Sequence, residues 1–204
     1  MWRNGAVPRP VPPVVLGAPE PDDRPVLWVV GIDPGGTSGW AVLRIEWDRV
    51  GEGIRARGCW WRTGEVQGPE PYQAEALLAI VRSVYLAGMW EGGSEADRCV
   101  VSVERFTLRL LSMDAALLSP VRITAMMEAL SWRGLPFPVV QLQPSEAKKV
   151  VTDERLQHWG FWPSGAHARD ALRHAVLTAR KMGSEEQFRA SVCARMSWLV
   201  EEVD

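Results

Sequence analysis

Val26 to Val42 reads VLWVVGIDPGGTSGWAV, and the fold is decided by how this stretch is read. Seven apolar or small residues, Val26 to Ile32, run without a polar interruption. That is the pattern of a strand buried on both faces of a sheet. The run ends on Asp33. An unpaired buried carboxylate is expensive, so an acid at the tip of a core strand calls for a cation, a metal or a dense set of donors opposite it. Pro34, Gly35 and Gly36 reverse the chain, and Gly39 to Ile45 returns as a second strand. Asp33 is thus expected at the mouth of a hairpin, exposed enough to meet a ligand. The competing reading makes it a turn-initiating residue that bonds nearby backbone N–H groups.

Outward from this hairpin, Ala56 to Thr63 reads as a third strand, completing an antiparallel meander. Pro69 and Pro71 then open a helix in which Ala74, Leu77, Leu78, Val81, Val84 and Tyr85 form one apolar stripe, with Gly92 and Gly93 as its end. Arg98 to Glu104 is the next strand and again finishes on an acid. A strand reached through a helix lies parallel to the first by a right-handed crossover, so the carboxyl ends coincide and Asp33 and Glu104 stand side by side. Two adjacent carboxylates repel unless a cation lies between them. The alternative is a pair of unrelated surface acids.

Residues 105 to 119 read as a loop or short helix. A helix is expected from Ser119 as N-cap, with Pro120 in its first turn, to Gly134, and a fifth strand from Phe137 to Leu142. Pro144 to Lys149 opens a short helix, and Thr152 caps another that ends at Gly160. Lys148 and Lys149 are either a solvated face or, beside the acidic sheet edge, a phosphate contact. The last key stretch is GAHARDALRHAVLTARK, Gly165 to Lys181. Its Ala168, Ala171, Leu172, Ala175 and Ala179 form an apolar face, and His167, Asp170 and His174 line the adjacent edge. His167, in the first turn, is expected to face Asp33 and Glu104. His174, one turn beyond Asp170 and about 6 Å further along the axis at 1.5 Å per residue, is expected to pack against the sheet or contact DNA.

The chain has 204 residues, 47% hydrophobic and 24% charged, which suits one domain with extensions. Seven of its fifteen prolines lie in residues 1–25, an expected extended arm. Residues 26–204 are expected to form the domain, with a C-terminal helix at 184–202. No membrane span or signal segment is legible, so a cytoplasmic location is expected. Cys59, Cys99 and Cys193 are widely spaced and read as reduced thiols. The net charge is −2, but residues 105–181 hold 11 Lys/Arg against 6 Asp/Glu. A basic face on a mildly acidic chain is compatible with a phosphate-bearing partner.

GIDPGGT looks like the first phosphate loop of the actin and sugar-kinase superfamily. That fold needs two such halves, and this chain has length for one. Asp33 after a buried strand, Glu104 after the fourth, and His167-x-x-Asp170 on a late helix resemble the metal-binding tetrad of the RuvC-like Holliday junction resolvases, within the RNase H-like superfamily. QPSEAKKVVTDERLQHWGFW and HARDALRHAVL add to the resemblance, which is strongest toward divergent members from phages of actinobacteria. Many members carry a fourth carboxylate where this chain has His167. The resemblance implies an RNase H-like α/β fold with a five-stranded mixed sheet, three strands antiparallel and two parallel, flanked by helices.

It also implies a homodimeric endonuclease cutting four-way DNA junctions with two Mg²⁺ or Mn²⁺ ions about 3.5 to 4 Å apart. Asp33, Glu104, His167 and Asp170 would be the ligands, and Lys148 and Lys149 would lie on a DNA-contacting helix. Phe106 would be the aromatic wedge, with Arg105 and Arg109 beside it. Flaps, forks and D-loops are alternative substrates, and a non-catalytic nucleic-acid-binding domain is the alternative outside enzymes.

Overall fold

The computed structural model describes residues 26–50, 53–90, 99–106, 115–131 and 138–192. The N-terminal arm, Arg98, Arg109, Gly92, Gly93, Gly134, Phe137, Cys193 and the end of the proposed C-terminal helix lie outside them. Strands β1 (Val26–Asp33), β2 (Thr37–Val50) and β3 (Gly53–Gln67) form the antiparallel meander. Helix α1 (Glu70–Trp90) leads to β4 (Cys99–Glu104), and α2 (Ala115–Ser131) leads to β5 (Val139–Leu142). Three helices follow: α3 (Pro144–Val150), α4 (Asp153–His158) and α5 (Ala166–Ser184). The sheet order is β3-β2-β1-β4-β5, with β4 parallel to both β1 and β5. Three antiparallel strands followed by two parallel ones in this order make the RNase H-like fold, and the described residues hold one such unit.

All eight residues of β1 are buried, as its unbroken apolar run requires of a central strand with helices on both sides. Alternation along the strands then sorts side chains between two cores. Trp28, Val30 and Ile32, with Val101 and Val103 of β4, pack against Leu77 and Val81 of α1 and Ile123 of α2. Leu27 and Val29, with Ala41, Leu43 and Val100, pack against Leu156 of α4 and Leu172 and Ala175 of α5. By the same parity Asp33 and Glu104 belong to the α5 face. The parallel register Gly31 to Ser102 and Ile32 to Val103 brings the two acids level at the end of the sheet.

Three expectations need correction. The hairpin arms are longer than Gly39–Ile45 and Ala56–Thr63, running on through a register shift at Glu46/Trp47. Helix α2 begins at Ala115, so Ser119 is not its N-cap and Pro120 lies inside it. The proline removes one backbone hydrogen bond, but Ser119 and Pro120 are both buried. Packing carries the helix through, with Ser119 Oγ donating to the Gly35 carbonyl at 3.4 Å. Finally, α5 ends at Ser184 and a new helical segment spans 186–192. Glu185, with extended backbone, separates the two, so the described part of the helix expected at 184–202 starts two residues later, at 186. Thr152 caps α4 as expected, accepting from the Arg155 N–H, and Gly160 closes that turn at φ +74°. Cys59 and Cys99 are free thiols, and burial pushes Cys99 up to about 12.

Candidate active site

The site exists because α5 lies directly on the backbone of β1 and β2. A Cβ at Gly31 would stand 2.0 Å from the Ala171 carbonyl oxygen, and one at Gly39 would stand 2.1 Å from that of His167. Gly39 pairs with Asp33 across the hairpin. The contact at Gly39 therefore delivers the first turn of α5 to the Asp33 carboxylate, and His167 Nδ1 lies 2.9 Å from Asp33 Oδ2.

Asp33 is buried at 8% exposure, so it is not the open hairpin residue expected, because His167 and the start of α5 cover it. Its carboxyl is pushed up to about 6. Burial is the largest cause, then the charge of Glu104; the hydrogen bond and charge of His167 pull the other way, and Asp170 adds a smaller push upward. These influences show that Asp33, Glu104, His167 and Asp170 share one electrostatic neighbourhood at the carboxyl end of β1 and β4.

Each flanking acid has its own partner. Glu104 Oε2 lies 3.1 Å from Nε2 of His174. Asp170 Oδ2 is 3.0 Å from Lys148 Nζ, and its other oxygen is bonded to Arg173. Arg173 also pairs with Asp153 and donates from Nε to the Val151 carbonyl at 3.1 Å, tying the start of α4 to α5. Lys148 thus has an acidic partner, and both it and Lys149 are exposed on α3. Arg105 is exposed and Phe106 half-buried, directly after Glu104. The Arg105 N–H donates to the Leu142 carbonyl at 2.8 Å, which holds this end of β4 against β5.

His174 packs against the sheet as expected, but its contact with Glu104 was not foreseen. The helical rise that seemed to keep it from the acids instead matches it to β4, one strand beyond β1, and it reaches Glu104 from within the core.

Two residues were not foreseen. Glu65 of β3 accepts the N–H groups of His167 at 3.0 Å and Ala168 at 3.3 Å, capping α5 from a position 102 residues upstream of His167. Nothing local in the sequence marks it. Its register with Gly39, itself opposite Asp33, puts Glu65 in the same lateral row of the sheet. Arg173 was passed over, although its spacing of three from Asp170 is a helical pairing distance.

The three carboxylates are hard oxygen donors suited to Mg²⁺ or Mn²⁺, with the imidazole a softer donor beside them, and the push of Glu104 and Asp170 on Asp33 is the kind a cation relieves. By donor chemistry and backbone placement the residues fit such an ion. As their side chains stand, no three His, Cys, Asp or Glu among the described residues converge on one metal position. Binding would require Asp33 and Asp170 to turn from His167, Lys148 and Arg173.

No family model matches the chain, and no curated protein matches it. Among solved structures it is similar to the Thermus thermophilus RuvC structure, at 20% identity and a TM-score of 0.48, covering 76% of this chain and 95% of that one. It is also similar to T. thermophilus RuvC in complex with Holliday junction substrate, at 18% identity and 0.46, covering 76% and 94%. The yeast mitochondrial Holliday junction resolvase Ydc2 matches at 13% identity and 0.41, covering 88% and 86%.

Proposed function

We propose that this chain is a divalent-metal-dependent endonuclease for branched DNA, with the four-way junction as its substrate and DNA recombination or phage DNA processing in the cytoplasm as its setting. The observation that carries the reading is the level pair of acids, Asp33 and Glu104, under the first turns of α5, where His167 and Asp170 join them. These are the four residues that the sequence resemblance to RuvC-like resolvases named as ligands.

Asp33, Glu104, Asp170 and His167 would hold two Mg²⁺ or Mn²⁺ ions, which when bound supply an activated water and stabilise the leaving oxygen. The chain's own residues do the rest. Burial of Asp33 beneath α5 excludes bulk water, and the cap from Glu65 fixes the helix end that carries His167. Lys148, on the exposed side of Asp170, and Lys149, Arg105 and Arg109 would meet backbone phosphates, with Phe106 against bases. Two symmetric cuts in one junction ask for a two-fold homodimer.

A non-catalytic nucleic-acid-binding role draws on the ion pairs that occupy Asp170. Incubating labelled four-way junctions, flaps, forks and plain duplexes with the protein in Mg²⁺ or in EDTA decides between them. Mg²⁺-dependent nicking of the junction above the other substrates is expected, and binding without cleavage in any divalent ion would refute the enzyme reading.

A further inference from the structure

His174 is sealed at 1% exposure, whereas the His167 side chain is 46% exposed. Its Nε2 meets Glu104 Oε2 at 3.1 Å, while its Nδ1 is buried with no hydrogen-bond partner. One turn on, Thr178 Oγ1 donates to Ser102 Oγ at 2.8 Å. Four residues of helix rise about 6 Å, close to the roughly 6.6 Å of two strand residues. Helix α5 therefore runs antiparallel along β4, with His174 on Glu104 and Thr178 on Ser102 as two matched rungs.

An ionised carboxylate has no proton to give, so His174 meets it with an Nε2–H donor. Nδ1 is left without a partner in a dry core, which is unfavourable for stability. A leucine of comparable size would bury no orphaned nitrogen there, at the cost of the donor that Glu104 Oε2 has in His174. The polar side chain does something a core residue does not need to do.

We propose that His174 is a positioning residue: its Nε2–H fixes the Glu104 side chain, holding Oε2 so that Oε1 is presented to a divalent cation. This rests on the metal-dependent reading above. Histidine and carboxylate partners behind a metal ligand commonly tune its affinity for the ion.

The test uses the full chain, with Mn²⁺ alone titrated calorimetrically and thermal unfolding followed in EDTA. His174→Leu is expected to melt at or above the wild-type temperature yet bind Mn²⁺ about tenfold to a hundredfold more weakly, with a parallel loss of nicking. His174→Gln, which can offer an N–H near the place of Nε2, is expected to recover most of that affinity. A His174→Leu chain that binds Mn²⁺ as wild type does would overturn the inference, and so would one that fails to fold, since that assigns the residue to the core. A wild-type chain that takes up no Mn²⁺ would instead refute the proposed function, and this inference with it.

Discussion

Gly39 and His167 meet backbone to backbone, so closely that a methyl group on Gly39 would lie 2.1 Å from the His167 carbonyl oxygen. The hydrogen bond between His167 and Asp33 depends on that contact. Gly39→Ala is expected to push α5 off the sheet and destabilise the fold by about 3 kcal/mol, the upper end for inserting a methyl group into a packed core. Nicking should fall more steeply than the folded fraction. Urea unfolding and cleavage measured on the same preparation check this, and unchanged stability would mean that α5 has room to move.

Asp33 carries the pH dependence. Its carboxyl titrates near 6 in the folded chain against 3.8 ordinarily, so below pH 3.8 both folded and unfolded forms hold the proton and burial carries no penalty. As pH rises from 3.8 to 6 the unfolded chain ionises first and stability is lost; above 6 the loss is complete. Asp33→Asn removes this penalty. In EDTA its stability relative to wild type should improve by on the order of 2 kcal/mol between pH 3.5 and 7.5, while junction binding survives and cleavage is abolished. A difference that stays flat with pH would show that the buried carboxylate is not strained.

Lys148 and Lys149 separate cleanly by position. Both were assigned to phosphate, but only Lys148 is paired with Asp170, at 3.0 Å. Replacing either with Ala is expected to weaken junction binding and lower the slope of log affinity against log salt by about one. Lys148→Ala should also change the metal concentration needed for cleavage, because Asp170 loses a competing cation. Gel shifts across a salt series measure the first effect and metal titrations the second; slopes that do not move would return both lysines to the solvent-facing role.

His167→Asp should retain Mg²⁺-dependent cleavage because it restores a carboxylate over Asp33, and His167→Ala should lose most of it. Steady-state nicking of a labelled junction is the measurement. An active His167→Ala would remove this residue from the ligand set.

Glu65→Ala takes away the cap on α5 and should cost about 1 kcal/mol, as helix N-caps do. Glu65→Gln, which keeps an acceptor, should cost less. Chemical denaturation distinguishes the two, and equal losses would mean that Glu65 acts through its charge.

The antiparallel meander, the parallel β4 and the level placement of Asp33 and Glu104 were legible because they follow from local pattern: an unbroken apolar run means a central strand, and a crossover through a helix means a parallel one. Contacts set by tertiary approach were not legible. Nothing in GIDPGGTSGW says that a helix more than a hundred residues later will rest on Gly31 and Gly39, and so Asp33 was read as open when it is covered. That His174 packs on the sheet was legible, but its contact with Glu104 was not, for a related reason. Rise along one helix was weighed without the next strand, against which that same rise is in step. Ser119 and Pro120 carried the local signature of a helix start, but docking of Ser119 on the Gly35 turn overrides it.

The pairing of Asp33 with His167 joins positions 134 residues apart in the chain. Contacts of such long separation are the slowest to be made and the last to become possible as a chain emerges from its N-terminus. The meander of β1 to β3 can form from its own neighbours, but it then displays an acid with no imidazole above it. A nascent or truncated polypeptide that stops before α5 is therefore expected to be inert toward DNA. On the proposed reading, the acid and imidazole cluster is completed only once α5 has been made, so no partly built cutting activity would precede it.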